Sequence, residues 1–411
     1  MTSPDRRTFL AGTFGAAVIA IEPELLALPP RLAAPVRVGI VGTGRQARAI
    51  LAELGKFEDV AVAALCDVDD SRLRAAGRRA PEAQAFATHA ELLSGSELDA
   101  VVVSTPTHLH RAVALDALAA KKHVYCEAPL ASTLEDCRAI AAAARASEKV
   151  FQTGMQARAN PVYQLARTFY RAGDIRDALA LRAQYHKKDS WRTAARDAAD
   201  EKALNWKLDP EVSLGLLGEL GAQQFDVFHW FTDQYPTAVR ARGAVLAWND
   251  GREVPDTVHC ELEFPGGATL VYEATLGNSF EGQCELLLGT LGTIKLAWSH
   301  AWMFKEADAP TMGWQVYANR QKFHNDEGIT LIAGATQLAE QGKLKEGVGL
   351  PHPALYYSLE AFLKSVTAGE EVVSSADEGL RAALVAIKAH EALRNGSSVE
   401  IDPELYRVDA R

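Results

Sequence analysis

The residues of this chain that could do chemistry fall into a few groups. Val36-Arg37-Val38-Gly39-Ile40-Val41 is a buried-strand pattern that runs into Gly42-Thr43-Gly44-Arg45-Gln46-Ala47, a glycine turn opening a helix. Gly42 permits the tight turn, Gly44 lets backbone approach a pyrophosphate, and the small Ala47 lets helix and strand pack closely while the helix N-terminus faces the phosphates. A second strand, Val60 to Leu65, ends in Cys66-Asp67-Val68-Asp69, where a carboxylate can accept hydrogen bonds from both hydroxyls of an adenosine ribose. In that role Asp67 points to NAD rather than NADP. Its alternative role is to cap the helix that starts near Ser71, and Arg45 beside the turn is a guanidinium able to hold a 2′-phosphate.

Two further strands end in polar loops. Ala100 to Val103 leads into Ser104-Thr105-Pro106-Thr107-His108-Leu109-His110, and His123 to Cys126 leads into Glu127-Ala128-Pro129-Leu130. Both loops leave the carboxyl ends of parallel strands, where ligands bind in such sheets. Later in the chain, Tyr185-His186-Lys187-Lys188-Asp189-Ser190-Trp191-Arg192 and Leu204-Asn205-Trp206-Lys207 gather aromatic faces and hydrogen-bonding groups that suit a polyhydroxylated ligand. The alternative is a rim of aromatics at a subunit interface. Glu219 and Gln223 are four residues apart and so share a helix face. Glu219 can titrate, whereas Gln223 can only hydrogen-bond.

The glycine turn, the Thr-Pro-Thr-His-x-His loop and the Cys-Glu-x-Pro-Leu loop, in this order and spacing, resemble the Gfo/Idh/MocA oxidoreductase family. The resemblance implies an N-terminal Rossmann domain with a doubly wound parallel sheet, then an α+β domain whose large, mostly antiparallel open sheet shapes a sugar pocket and meets partner subunits. It also implies a shared proton-transfer task for a Lys in a Glu-Lys-Pro loop and a His in the second domain. Both positions differ here: Ala128 replaces the Lys, and Glu219-Leu220-Gly221-Ala222-Gln223-Gln224-Phe225-Asp226 carries Gln223 at the His position. Glu219 is therefore the expected catalytic group, with a surface or cofactor-orienting carboxylate as its plainer reading, and Tyr185, His186 and Lys188 are the alternative proton carriers. Gly42, Gly44, Arg45, Gln46, Asp67, Thr105, Pro106, Thr107, His108, His110, Glu127, Ala128 and Gln156 are the expected cofactor contacts. Lys188, Trp191, Arg192, Trp206 and Gln223 are the expected substrate contacts.

These elements must be positioned by a chain of 411 residues with 48% hydrophobic and 23% charged, long enough for two domains with sizeable cores. A formal net charge of −10 with no basic stripe excludes a nucleic-acid surface. The five cysteines are widely spaced with no CxxC pair, so neither a disulfide framework nor a metal site is expected. Asp5-Arg6-Arg7-Thr8-Phe9-Leu10 followed by a weakly apolar run from Ala11 to Ile21 has the layout of a twin-arginine export signal, which predicts a periplasmic protein, membrane-tethered if the signal is uncleaved. The expected division is 1–34 signal and linker, 35–155 Rossmann domain, 156–375 substrate and oligomerisation domain, and 376–411 a helix and tail returning to the Rossmann domain. Alternating runs from Ala178 to Tyr185, Ala238 to Leu246, Val258 to Phe264, Ala268 to Leu276 and Glu285 to Leu288 predict the strands of the second sheet.

The function expected from this reading is nicotinamide-dependent oxidation or reduction of a carbohydrate or polyol, with the cofactor retained and the chain forming a homo-oligomer. The competing expectations are a protein that binds nucleotide or sugar without hydride transfer, and an enzyme that uses transient oxidation to assist glycoside cleavage.

Overall fold

The structure is a computed structural model and describes residues 31–407 apart from 317 and 341–346. The Arg6-Arg7 segment lies outside the described residues. Among them no helix is long and apolar enough to cross a membrane.

The first domain alternates strand and helix: β1 Val36–Val41, α1 Arg45–Leu54, β2 Val60–Cys66, α2 Asp70–Gly77, β3 Gln84–Phe86, α3 His89–Gly95, β4 Ala100–Val103, α4 His110–Ala119, β5 His123–Cys126, α5 Leu134–Ala146 and β6 Phe151–Thr153. All six strands are parallel, in the order β3-β2-β1-β4-β5-β6. The central β4 is buried along its whole length, as its Ala-Val-Val-Val run requires of a strand covered on both faces. The order reverses between β1 and β4, so the loops leaving those two strands flank a crevice.

The second domain is built from α6 Gln156–Ala159, α7 Pro161–Arg171, β7 Ala178–His186, α8 Ala198–Leu204, α9 Gly215–Glu219, α10 Gly221–Thr232, β8 Ala238–Ala244, β9 Thr257–Glu263, β10 Thr269–Thr275, β11 Gln283–Gly289, β12 Gly292–Ala297, β13 His300–Lys305, β14 Arg320–Lys322, β15 Glu327–Leu331, α11 Ala335–Glu340, α12 Ala354–Ala368, α13 Ala376–Asn395 and β16 Val399–Glu400. Ten strands form one sheet in the order β14-β15-β13-β12-β11-β7-β10-β9-β8-β16. Only the β7–β10 pair is parallel. One face is covered: Val258, Cys260 and Leu262 of β9 and Leu270, Tyr272 and Ala274 of β10 alternate inward, and Phe225 of α10 meets Tyr272 edge-on at 5.1 Å. The opposite face is open, with His259, Glu261 and Val271 exposed. Five of the strands are the expected ones. The short strands β12 to β15 and β16 extend the sheet on both sides.

Helix α13 locks the domains together. A capping box of Ser375 and Glu378 starts it, Gly396 ends it in the left-handed region at φ 63°, and its inner side is a run of buried alanines. These small side chains let it lie against α5 and β6 of the first domain and α10 and β8 of the second. A Cβ at Gly379 would sit 2.4 Å from Thr153 Oγ1, so only glycine allows the approach to β6. The tail, expected to return with this helix to the Rossmann domain, instead pairs with β8 at the edge of the second sheet, where Val399 lies opposite Val239. An unpaired edge strand offers backbone donors and acceptors that the tail satisfies.

Candidate active site

The crevice between the domains begins at the glycine turn. Gly42 has φ 87°, and a Cβ there would lie 2.6 Å from the Ser104 carbonyl oxygen, so the turn presses against the loop after β4. Gly44 precedes α1, which has no side-chain cap, and nothing lies within 4 Å of where a Gly44 Cβ would be. The first N–H groups of α1 thus face open space with their hydrogen bonds unmade, a seat for phosphate. A cavity of about 260 Å³ at this point is lined by Thr43, Gly44, Arg45, Arg48, Ser71 and Arg72 from the first domain and by Thr193 from the second. Its guanidinium groups favour an anion.

Asp67 lines a neighbouring cavity of about 780 Å³ together with Pro106, His108 and Trp206, beneath a roof formed by Arg196 and α8. Its Oδ2 accepts from Thr43 N at 2.7 Å and Thr43 Oγ1 at 2.9 Å, and its Oδ1 from Asp69 N at 2.9 Å. The capping role belongs to Asp69, whose carboxylate accepts from Ser71 N and Arg72 N, so the alternative reading of Asp67 falls away. Arg45 reaches across the crevice to Asp189 at 2.6 Å and is half of an inter-domain ion pair.

Ser104 Oγ, Thr105 Oγ1, His108 Nδ1 and Gln223 Oε1 are buried without a hydrogen-bond partner. Such atoms cost free energy unless something fills them, and these four come from the loop after β4 and from α10. A nicotinamide dinucleotide fits what surrounds them: α1 for its pyrophosphate, Asp67 for a ribose and the loop after β4 for the rest. His110, expected at the cofactor, is instead buried between loops, with ring nitrogens 3.0 Å from the Thr105 carbonyl and 3.1 Å from the Pro129 carbonyl. It fastens the two loops to each other. Gln156 is buried at the start of α6.

Two carboxyl groups are tied to the loops after β4 and β5. Glu127 Oε1 accepts from Gln46 Nε2 at 3.0 Å, and burial raises its pKa to about 7 against the opposing pull of that hydrogen bond and of the Lys207 charge. Glu219 accepts from Thr107 Oγ1, which lies 3.1 Å from Oε1 and 3.2 Å from Oε2, so a residue of the second domain is held by a loop of the first. Burial raises its pKa too, opposed by Lys207 and Thr107. Glu219 and Gln223 do not share one continuous helix: α9 ends at Glu219, and Leu220 breaks the backbone at φ −120° and ψ −45° before α10 begins. The break turns Glu219 towards Thr107. Asp226, three residues on from Gln223, is spent in a buried pair with Arg158 at 2.8 and 2.9 Å.

The segment after β7 departs from expectation. Successive strand residues point to opposite faces, so Tyr185 lies on the covered side, where burial raises its pKa and the Arg45 charge lowers it, while His186 lies on the open side. There His186 Nε2 is 3.2 Å from Glu273 Oε1 and its Nδ1 is 3.1 Å from the Phe280 carbonyl, which removes it from the crevice. Lys188 is exposed, its backbone N–H donating to Ser279 Oγ, and it is not brought to the site. Arg192 is consumed by ion pairs with Glu201 and Asp250 and serves as a brace rather than a substrate contact. Trp206 lines the crevice, and Lys207 stands between it and Trp191, with Nζ 4.9 Å from the Trp191 ring centroid and 5.5 Å from that of Trp206. Lys207 and Asp189 were not singled out from sequence, although both stand inside the segments that were; no spacing rule marks which members of such a cluster turn inward.

A family model described as the oxidoreductase family with an NAD-binding Rossmann fold matches residues 36–155, and one described as the GFO/IDH/MocA C-terminal domain matches residues 163–295. The chain is 27% identical over 381 residues to inositol 2-dehydrogenase 1 of Saccharopolyspora erythraea, covering 90% of this chain and 99% of that one. Among solved structures, levoglucosan dehydrogenase in complex with NADH and levoglucosan superposes with a TM-score of 0.71 at 20% identity, covering 89% of this chain and 99% of the other. Myo-inositol 2-dehydrogenase from Lactobacillus plantarum gives a TM-score of 0.66 at 18% identity, covering 90% and 100%.

Proposed function

The chain belongs to the Gfo/Idh/MocA oxidoreductase family, and from that premise we propose that it oxidises a secondary hydroxyl of a polyol or sugar with NAD, using Glu219 in place of the usual Lys and His. The observation that carries this reading is the set of orphaned buried atoms, Ser104 Oγ, Thr105 Oγ1, His108 Nδ1 and Gln223 Oε1, beside a carboxyl group held by Thr107 across the domain boundary. A nicotinamide held by α1 and Asp67 would supply the oxidant, accepting a hydride. Glu219 takes the hydroxyl proton, since a carboxyl raised by burial exchanges protons nearer neutral pH than an exposed one. Gln223 orients the substrate through its unfilled Oε1. Asp67 selects NAD, because a carboxylate there repels a 2′-phosphate.

The inositol and levoglucosan dehydrogenases among the relatives support a small polyol or sugar as substrate. We assign the open face of the second sheet to contact with a second copy of the chain. From the Arg6-Arg7 pair we propose twin-arginine export to the periplasm, where a retained cofactor would serve better than one drawn from solution. Replacing both arginines with Lys is expected to leave the protein in the cytoplasm, and undiminished periplasmic protein would reject the assignment.

The deciding experiment identifies, by mass spectrometry, the nucleotide released from the purified full-length protein, and follows reduced-nicotinamide absorbance on adding a panel of polyols and sugars that includes myo-inositol. Bound NAD and a polyol-dependent rise are expected. Bound NADP would overturn the choice of cofactor, and silence with every ligand would leave the binding-protein reading that Ala128 favours.

A further inference from the structure

The segment between β7 and α9 is braced far more heavily than a surface loop needs. Arg192 pairs with Glu201 and, at 2.9 Å, with Asp250. The Arg252 guanidinium, fully buried, donates to Ser190 O at 2.7 Å and pairs with Asp250. Asn205 is buried and ties both ends of the segment, accepting from Thr193 N at 2.7 Å and donating to Thr193 O and Glu201. Trp191 adopts the left-handed region at φ 60°, uncommon for an aromatic residue, with its N–H donating to Asp189 Oδ1. A scaffold of this kind fixes whatever it displays.

What it displays is Lys207. Its ammonium rests against the faces of Trp191 and Trp206, and Trp206 in turn meets the His108 ring edge-on at 5.9 Å. No carboxylate among the described residues closes on Lys207 as an ion pair. The π faces hold the charge without using the ammonium's hydrogen-bond donors. Meanwhile the loop after β5 has only the Ala128 methyl where the family resemblance calls for a lysine.

We propose that Lys207 supplies the active-site ammonium that position 128 lacks: held by Trp191 and Trp206 beside His108, its Nζ hydrogen-bonds to the reacting oxygen of the substrate. This rests on the dehydrogenase reading above. In the oxidation, the substrate C–H bond breaks with its electron pair passing to the oxidised nicotinamide, the O–H bond breaks with its proton passing to Glu219, and the C=O double bond forms. Lys207 keeps its protons throughout and stabilises the negative charge that builds on the oxygen. Its charge also lowers the pKa of both Glu127 and Glu219, which burial raises. One cation on a single rigid platform thus acts on both carboxyls and on the substrate.

The test uses the full-length protein as purified, with Lys207→Met removing the charge and Lys207→Arg keeping it, folding being checked by thermal melts. The carboxyl infrared bands of Glu127 and Glu219, assigned with Glu127→Gln and Glu219→Gln, are titrated in each variant. Lys207→Met is expected to move both midpoints upward, and Lys207→Arg to leave them near the wild type. With a polyol that the wild type oxidises, Lys207→Met is expected to lower kcat by about 10²- to 10³-fold with partial rescue by Lys207→Arg. Unmoved midpoints in a folded Lys207→Met protein would overturn the proposal whether or not a substrate is known. Moved midpoints with kcat within a few-fold of wild type would overturn the catalytic part while leaving the dehydrogenase reading intact. If the wild type oxidises no polyol but the midpoints move, the dehydrogenase reading fails and the contact with a reacting oxygen fails with it, while the placement of the ammonium in the crevice stands.

Discussion

Glu127 and Glu285 are both buried glutamates, raised mainly by burial to about 7 and about 6 respectively, yet the molecule treats them differently. Glu285 lies beneath the second sheet, where Tyr163 Oη donates to Oε2 at 2.6 Å and Gln224 Nε2 donates to Oε1 at 2.6 Å. Fixed protein donors occupy both of its oxygens. Glu127 accepts from the Gln46 side chain and the Ala128 backbone N–H, and the Lys207 charge acts on it from nearby. A raised pKa is therefore common to a core bolt and a candidate reacting group. The orphaned polar atoms of the neighbouring loop and the Lys207 charge, rather than the carboxyl's own hydrogen bonds, are what separate them.

The comparison is tested hardest at Glu219, which sits with Glu127 on the open side of that distinction. Glu219→Gln is expected to cut kcat by about 10²- to 10⁴-fold while leaving bound nucleotide unchanged, measured by turnover and by nucleotide content of the purified protein. Survival of turnover within a few-fold would return Glu219 to a structural role and make Tyr185 the next candidate.

Glu127 comes next. Its folded pKa of about 7 lies above the ordinary 4.5, so the stability it contributes is fully present below 4.5 and is lost as pH rises through 7. The full loss is about 3 kcal/mol. Glu127→Gln removes that slope, so denaturant unfolding should favour the variant increasingly between about pH 5 and about pH 8. Saturating polyol should alter this component, because the ligand fills the crevice.

For Glu285 the same sign holds over a narrower window, from 4.5 through about 6, with a full loss of about 2 kcal/mol. Glu285→Gln should flatten it, and polyol should leave it unmoved. A ligand-sensitive Glu285 slope, or a ligand-insensitive one at Glu127, would erase the distinction between the two.

The nucleotide half was readable because its chemistry is local: a strand, a glycine turn and a helix N-terminus make a phosphate seat from consecutive residues, and Asp67 follows at the end of the next strand. The second half is assembled from distant pieces. Whether Tyr185 or His186 faces the crevice depends on the pleat of β7 and on which face the helices cover, and one residue of register decides it. Glu219 is legible through the family resemblance, which places a carboxylate ahead of the Gln223 and Asp226 positions, but the helix break at Leu220 beside it leaves no plain mark in the sequence. Arg192 and Lys207 look alike on paper, both cations beside a tryptophan. Only the carboxylates of Glu201 and Asp250, brought in from elsewhere, make one a brace and leave the other without an ion pair among the described residues.

The roof of the 780 Å³ cavity is made by α8 and Arg196, and the same stretch of chain ends in Trp206 and Lys207. The adenosine end of a dinucleotide and the reacting end of a substrate would therefore touch one continuous, braced segment, itself tethered to the glycine turn by the Asp189–Arg45 pair.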